Sequence, residues 1–165
     1  MSTFVELISG HDKLQQVRWF PKENYHLTIA FLGNIENVLI SSLQFELEQK
    51  LSSIKSFFRF LEITPFPFFY GNAKVATAMV YPSEELMEIY HYTTKCVRDY
   101  GILFERRRFI PHITLGRLKY HSLKSLEFFP QQICLDGVFE NLIIYQSELT
   151  REGVVYSSIG EISLM

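Results

Sequence analysis

One short pattern occurs twice in the chain, and this repeat constrains the fold more than any other feature. The two segments are YHLTIAFL at 25–32 and PHITLGRL at 111–118. In each, a histidine is followed two positions later by a threonine, at His26 and again at His112, 86 positions further on. Alternate side chains of a strand lie on the same face, so each segment predicts a strand that offers an imidazole beside a hydroxyl.

The apolar residues of these segments are expected to anchor the two strands. In the first segment they are Leu27, Ile29 and Phe31, which share the face opposite His26 and Thr28. A single histidine in such a setting is more often a core or surface residue than a catalyst. Threonine makes up about one residue in twenty of an average protein, so a second occurrence at the same spacing favours a shared functional site.

The composition indicates one folded domain. Hydrophobic residues make up 47% of the 165 residues, with fifteen Phe, nine Tyr and one Trp, which is more than a disordered chain carries. No apolar run reaches the roughly 18 residues of a membrane span. The net charge of −2 argues against a protein that coats nucleic acid, but it allows a small site for a single phosphate.

The N-terminal residues and the cysteines predict a cytoplasmic location. The segment MSTFVELISGHDK has no basic leader and contains Glu6, unlike a secretory signal. Cys96 and Cys134 form neither a disulfide framework nor a metal-binding spacing, which fits a reducing compartment.

The hydrophobic patterns of the first half predict a short helix, the first motif strand, a longer helix and two further strands. Their ranges are 3–9, 25–32, 36–51, 57–63 and 74–81. Leucine at every fourth position indicates the longer helix, and the capping-box spacing of Thr3 and Glu6 indicates the short one. The proline-rich segment TPFPFFYGN, at 64–72, is expected to break regular structure.

The second half repeats this order. A serine cap and two glutamates begin a helix from about 82 to 100, and Gly101 is placed to end it. The second motif strand follows at 109–118, and residues 138–149 and 154–164 predict a hairpin. We therefore predict a single α+β domain over 1–165, made of two similar lobes that each contribute one His–Thr strand.

Two histidines and two threonines can perform acid–base chemistry at phosphorus. Histidine ionises near neutral pH, so one imidazole can accept a proton while another donates one. In-line displacement needs help on opposite sides of phosphorus, because the nucleophile enters as the leaving oxygen departs. The hydroxyls of Thr28 and Thr114 can donate hydrogen bonds to the remaining phosphoryl oxygens. This scheme requires no metal, and the chain lacks the carboxylate or Cys/His spacing of a metal site.

Three stretches resemble one known family. RWFPKENYHLTIAFLGNI (18–35), RRRFIPHITLGRLK (106–119) and the hairpin region at 139–164 are similar to the two-histidine phosphoesterases, and among them to the bacterial RNA 2′,3′-cyclic phosphodiesterases, also called 2′-5′ RNA ligases. The resemblance implies a bilobal, pseudo-twofold fold with two antiparallel sheets around a central cleft and helices outside. It also implies hydrolysis of RNA 2′,3′-cyclic phosphate ends to 2′-phosphomonoesters without metal or other cofactor, together with reversible 2′-5′ ligation.

The resemblance assigns roles by motif position. His26 is then the general acid that protonates the departing 3′ oxygen, and His112 is the general base that activates water, although on chemistry alone either histidine fits either role. Three further residues bind the phosphate: Thr28, Thr114 and Arg117. Strict strand alternation would turn Arg117 away from the second histidine, so its assignment requires a twist or bulge near Gly116.

Two other groups of residues have both a functional and a structural interpretation, and the structural one is favoured for each. The arginines at 106–108 either attract RNA phosphates or form a solvated loop. The aromatic residues of 66–70 either stack on a base or pack in the core, as do Trp19 and Tyr25.

The resemblance is incomplete at the start of the chain. Members of the family begin with an additional strand and a full helix, whereas only seventeen residues precede Arg18. A missing strand would expose hydrogen-bonding groups, so we expect a monomer that is open to dimerisation at an unpaired edge.

The expected ligands are RNA ends with 2′,3′-cyclic phosphate or small cyclic nucleotides, with no membrane partner. Two alternative functions stay open at this point. One is a non-catalytic module that binds RNA ends or nucleotides. The other is a phosphodiesterase that acts on another 2′-5′ or cyclic nucleotide substrate.

Overall fold

The structure, a computed structural model, describes most of the chain. The described residues are 17–67, 73–104, 108–119, 135–151 and 153–164. Along them lie seven strands and two α-helices, which makes the fold α+β as predicted. The predicted helix at 3–9, and with it the expectation of a missing strand, lies outside the described residues.

Five strands form one sheet in the order β1–β4–β3–β2–β5. Their bounds are β1 Val17–Trp19, β2 Ser56–Phe66, β3 Val75–Val80, β4 His112–Leu118 and β5 Asp136–Phe139. β4 pairs antiparallel with β1 on one side and with β3 on the other, so the second motif lies inside the sheet. Backbone hydrogen bonds on both edges fix its register.

The predicted break at 64–72 is wrong at its start, because β2 continues to Phe66 and Pro65 pairs with Ala76 of β3. Proline cannot donate a backbone hydrogen bond, but it is tolerated where a strand has a partner on one side. The other neighbour of β2, β5, lies beside the first part of β2, where the Phe60 N–H donates to the Leu135 carbonyl. The missing N–H of Pro65 therefore removes no hydrogen bond to β5.

The C-terminal hairpin is confirmed. It consists of β6 Asn141–Thr150 and β7 Gly153–Ser163, which pair antiparallel as a separate two-stranded sheet. The strand predicted at 138–149 is divided in the structure, because β5 ends at Phe139 and β6 begins at Asn141.

Both longer helices are confirmed, as α1 Asn37–Leu51 and α2 Glu84–Asp99. The hydroxyl of Ser83 caps α2 by accepting a hydrogen bond from the Leu86 N–H at 3.2 Å. Gly101 follows α2 with a φ of 72°, a conformation that glycine adopts without strain. Among the described residues, no helix is long and apolar enough to cross a membrane.

The chain divides into two compact units. The first unit takes the described residues of 1–28, 59–81 and 110–136, and the second takes those of 29–58, 82–109 and 137–165. An apolar cluster from α1, α2 and β7 forms the core of the second unit. Its buried members are Leu43, Leu47, Leu51, Ile89, Cys96, Val97, Ile102 and Ile162.

Both His–Thr pairs lie in the first unit, whereas the sequence predicted one in each of two lobes. The reason is that Leu27 forms an isolated antiparallel bridge with Ile113 of β4, which attaches the first motif to the strand that carries the second. The boundary of the unit follows directly after Thr28. The bilobal cleft that the resemblance implies stays a prediction.

Candidate active site

The second motif lies on β4, where side chains alternate between a buried and an accessible face. Ile113 and Leu115 are almost completely buried, and His112 and Thr114 between them are half-buried. This is the alternation that the sequence predicts for a strand with one face in a core. The imidazole and the hydroxyl therefore point to the same accessible face of the sheet.

The first motif is not the strand predicted at 25–32. The chain leaves a short 3-10 helix at Lys22–Asn24, meets β4 in the single bridge at Leu27 and enters the second unit from Ile29 onward. The predicted alternation also ends there, since Phe31 is 73% exposed. Leu32 instead packs against the core of the second unit. One bridge is too short for a strand, although it is enough to fix how the two motifs face each other.

The bridge brings the four motif residues together. Because Leu27 pairs antiparallel with Ile113, the residues before and after each one are also opposite: His26 faces Thr114, and Thr28 faces His112. All four lie on the face opposite to the bridging pair. Directly opposite residues have Cβ atoms about 4.5–5.5 Å apart, and diagonal ones lie about 7–8 Å apart. The two histidines therefore occupy one diagonal of a square and the two threonines the other. We call these four residues the His–Thr square.

Each of the two imidazoles is held by a hydrogen bond of the same kind, to the backbone carbonyl two residues before it. Nδ1 of His26 lies 2.8 Å from the carbonyl oxygen of Asn24, and Nδ1 of His112 lies 2.7 Å from that of Ile110. A carbonyl can only accept, so Nδ1 must carry the proton in both rings. Each imidazole therefore gains and loses its second proton at Nε2.

Two aromatic residues support the His–Thr square. The hydroxyl of Tyr25 donates to the carbonyls of Phe20, at 2.8 Å, and of Leu115, at 3.3 Å, and so connects the first motif to β4. The ring of Phe66 stacks on His112 with 4.6 Å between centroids and 22° between planes. Tyr25 thus has a structural role, whereas Phe66 is half-buried and packs on His112 itself and not in the core. The remaining aromatic residues of 66–70, at 68–70, lie outside the described residues.

The bulge that Arg117 requires is present in β4. Thr114 pairs with Thr77 of β3 and Gly116 pairs with Ala76, so two residues of β3 span three residues of β4. The extra residue is Leu115, and it reverses the alternation beyond it. Arg117 pairs with Val75, two positions from Thr77, and its exposed side chain therefore lies on the face of the His–Thr square.

Thr77 is a buried neighbour of the site that sequence reasoning did not single out. It lies opposite Thr114 on the same face, but its hydroxyl donates to the carbonyl of Thr64 at 2.9 Å. Its role is structural. The threonine has no histidine two positions before it, so no motif distinguishes it in the sequence.

The other candidates named from the sequence are not part of the His–Thr square or lie outside the described residues. Of the arginines at 106–108, Arg108 is described and is exposed. His91 lies on α2 in the second unit, with its ring at the edge of the ring of Tyr90. Within the described part of the chain, no group of three His, Cys, Asp or Glu side chains is arranged to hold a metal ion.

Comparisons with known proteins give a consistent result. The model of the family described as LigT like Phosphoesterase matches residues 2–67, which include the first motif. A protein of Thermotoga maritima named RNA 2′,3′-cyclic phosphodiesterase is 29% identical over 153 residues, which cover 87% of this chain and 77% of that protein. A protein of Methanocaldococcus jannaschii with the same name is 26% identical over 154 residues, which cover 90% and 86%.

The fold is similar to that of a solved member of the family. The crystal structure of Escherichia coli LigT in complex with 3′-AMP matches with a TM-score of 0.78 and 19% sequence identity, over all of this chain and 93% of that one. The two histidine motifs, the family model and the two named relatives agree. They show that the chain is similar to the LigT-like phosphoesterases.

Proposed function

We propose that the chain is a phosphodiesterase that opens the 2′,3′-cyclic phosphate at RNA ends to give a 2′-phosphomonoester. The single observation that carries this proposal is the His–Thr square, in which the bridge at Leu27 sets two imidazoles on one diagonal and two hydroxyls on the other. The names of the two curated relatives support the same reaction.

The arrangement of the histidines fits an in-line displacement. A water molecule attacks phosphorus and gives a proton to Nε2 of His112, while the bond from phosphorus to the 3′ oxygen breaks and Nε2 of His26 gives that oxygen its proton. The diagonal of the square separates these two events on opposite sides of phosphorus. His112 ends protonated and His26 neutral, and exchange with solvent restores both states.

The threonines stabilise the charge that develops in the transition state. Thr28 and Thr114 lie on the other diagonal, where their hydroxyls donate to the two non-bridging oxygens of the phosphate. The guanidinium group of Arg117 adds a positive charge beside Thr114, on the same face. No metal is needed for this charge balance, because two hydroxyls, one guanidinium and one imidazolium surround the phosphate.

The same groups can run the reaction with a different nucleophile. If the 5′ hydroxyl of an RNA takes the place of water, His112 accepts its proton and the product is a 2′-5′ phosphodiester. No ATP is required, because the cyclic phosphate itself is the activated group. The resemblance to the 2′-5′ RNA ligases supports this second outcome. Cytoplasmic location and a monomeric state stay predictions.

The activity is tested by incubating the purified protein with an oligonucleotide that ends in a 2′,3′-cyclic phosphate, in the presence of EDTA. We expect conversion to the 2′-phosphate, which phosphorus NMR distinguishes from the 3′-phosphate. Failure to form any phosphomonoester, or formation of the 3′ isomer, would overturn the proposal. A second reaction with a 5′-hydroxyl oligonucleotide present measures the share of ligation.

The two roles of the histidines are separated by a substrate with a better leaving group. A cyclic phosphate with sulfur in place of the bridging 3′ oxygen releases a thiolate, which does not need a proton. We expect this substrate to restore much of the rate to His26→Ala and none of it to His112→Ala. The opposite result would exchange the roles of the two residues.

A further inference from the structure

A pair of arginines lies on the same face of the sheet as the His–Thr square. β1 pairs with β4 so that Arg18 is directly opposite Arg117. Both arginines are exposed, whereas the next pair along, Val17 and Leu118, is buried. The bulge at Leu115 turns Arg117 to the face of the His–Thr square. Residues directly opposite in a sheet share a face, so Arg18 lies there too.

Two like charges in this position are unfavourable unless an anion lies between them or beside them. Among the described residues, neither Arg18 nor Arg117 forms an ion pair with a carboxylate. A guanidinium group presents several N–H donors in one plane, a geometry that suits phosphate oxygens. The pair is therefore arranged for a phosphate group of the substrate.

The order of residues along the edge of β4 indicates which phosphate this is. β1 and the first motif lie along the same edge of β4, so the face carries Arg18, then His26, then Thr28. The β3 partners of Thr114 and Arg117 are Thr77 and Val75, which are two positions apart, a distance of roughly 7 Å along the strand. Arg18 is therefore one step beyond His26, on the side away from His112.

In the proposed reaction, His26 protonates the 3′ oxygen of the terminal ribose. That ribose must lie on the His26 side of the reacting phosphorus. The 5′ oxygen belongs to the same ribose, so the next phosphate of the RNA also lies on this side. Arg117 follows Thr114 on β4 and remains near the reacting phosphate, which leaves Arg18 for the neighbouring one.

We propose that Arg18 binds the 5′ phosphate of the nucleotide that carries the cyclic phosphate, and that it thereby makes the site prefer RNA ends and 5′-phosphorylated nucleotides over nucleosides. This inference rests on the proposed function and on the role of His26 within it. Arg18 is a specificity residue and takes no part in bond breaking.

A kinetic experiment compares adenosine 2′,3′-cyclic phosphate with the same compound carrying a 5′ phosphate. We expect the native protein to have a higher kcat/KM for the 5′-phosphorylated substrate. In Arg18→Gln the ratio of the two kcat/KM values should fall by roughly 10- to 100-fold, the effect of losing a charged hydrogen bond, while kcat/KM for the nucleoside substrate stays unchanged. Arg18→Lys should retain part of the preference, because it keeps the charge but not the planar group.

A binding experiment tests the inference without turnover, so that a failure of the proposed reaction does not hide the result. The probes are 2′-AMP and adenosine 2′,5′-bisphosphate, which differ only in the 5′ phosphate, and calorimetry measures both Kd values. The native protein should bind the bisphosphate more tightly, and Arg18→Gln should lose that advantage. If the protein does not hydrolyse the cyclic phosphate, but the difference in Kd is present in the native protein and absent in Arg18→Gln, the inference about Arg18 holds and the proposed reaction does not.

The matched control is Arg98→Gln, which removes an exposed arginine of α2 in the second unit and should leave both ratios unchanged. Three outcomes would overturn the inference. They are equal affinity of the native protein for both probes, an unchanged ratio in Arg18→Gln, and an equal loss on both substrates, which would place Arg18 at the reacting phosphate or in the fold.

Discussion

The two motifs present the same imidazole from very different backbones. His112 begins a seven-residue strand with partners on both sides, whereas His26 lies in a segment attached to that strand by a single bridge. Even so, both rings donate from Nδ1 to the carbonyl two residues before them, with distances that differ by 0.1 Å (2.8 against 2.7 Å). The same hydrogen bond of the ring is therefore reached without a complete strand around His26.

What replaces the strand around His26 is a set of separate contacts. The bridge fixes the register, and the hydroxyl of Tyr25 donates to the carbonyl of Leu115 on β4. His112 instead has a regular ladder and the stacked ring of Phe66. The position of His26 should therefore depend more on any single contact than the position of His112 does. The two histidines should nevertheless contribute equally to the rate.

The largest effect is expected from the histidines themselves. His26→Ala and His112→Ala should each lower kcat by about 10²- to 10⁴-fold, the usual contribution of general acid–base catalysis. Because the two rings act in one step, the double variant should lose much less than the product of the single losses. Rates of cyclic phosphate hydrolysis measure all three. His91→Ala, at an exposed histidine of α2, is the control. A comparable loss of kcat there would show that the effect is not specific to the two motif histidines.

The next largest loss of rate is expected from the two threonines of the His–Thr square. Thr28→Val and Thr114→Val keep the shape of the side chain but remove the hydroxyl, and each should lower kcat by about 10²-fold, as the loss of a transition-state donor does. Thr77→Val is the matched control, because its hydroxyl already donates to Thr64. That variant should lose about 1 kcal/mol of unfolding free energy with kcat nearly unchanged. A large fall in kcat for Thr77→Val, without any for Thr114→Val, would exchange their roles.

A third effect acts through the backbone of β4. A Cβ atom at Gly116 would lie 2.6 Å from the carbonyl oxygen of Arg18 and 2.7 Å from Cγ1 of Val17, so Gly116→Ala forces β1 away from β4. We expect a loss of about 1 to 3 kcal/mol in unfolding free energy, measured by urea denaturation. The preference for 5′-phosphorylated substrates should fall as well, because Arg18 moves with β1. Unchanged stability would contradict the close approach of the two strands.

The smallest effect concerns the hydroxyl that holds the first motif. Tyr25→Phe removes both hydrogen bonds of that hydroxyl and should cost about 1 kcal/mol of unfolding free energy. The rate should fall only a few-fold, because His26 keeps its bond to Asn24. A loss of rate as large as that of His26→Ala would mean that the hydrogen bonds of the Tyr25 hydroxyl also set the position of the His26 ring.

The same substitution should also change the pH dependence of stability. Burial, with a further contribution from Glu23, raises the pKa of Tyr25 above its usual 10.0. The folded chain then holds this proton more tightly than the unfolded chain, so the contribution to stability is complete below pH 10 and is lost as the pH rises above it. Urea denaturation at a series of alkaline pH values should show a shallower decline for Tyr25→Phe than for the native protein.

Much of this site follows from the sequence, because repeated local patterns specify it. The His–Thr spacing identifies the four residues of the square. The requirement for a bulge near Gly116 follows from strand alternation once the resemblance assigns Arg117 to the phosphate. The pairing of Leu27 with Ile113 is not predictable, since the register of distant segments depends on packing that no local pattern records. For the same reason the sequence predicted a full strand at 25–32 and placed the two motifs in different lobes.

In the proposed reaction, His26 and His112 act on one phosphate from opposite corners of the His–Thr square. The most direct test of this arrangement is a titration of the protein with 2′-AMP, followed by the ¹⁵N signals of the imidazole nitrogens and assigned with His26→Gln and His112→Gln. We expect Nε2 of both rings to respond with a single shared Kd, while both Nδ1 atoms stay protonated throughout. A response from only one ring, or two different Kd values, would contradict this arrangement.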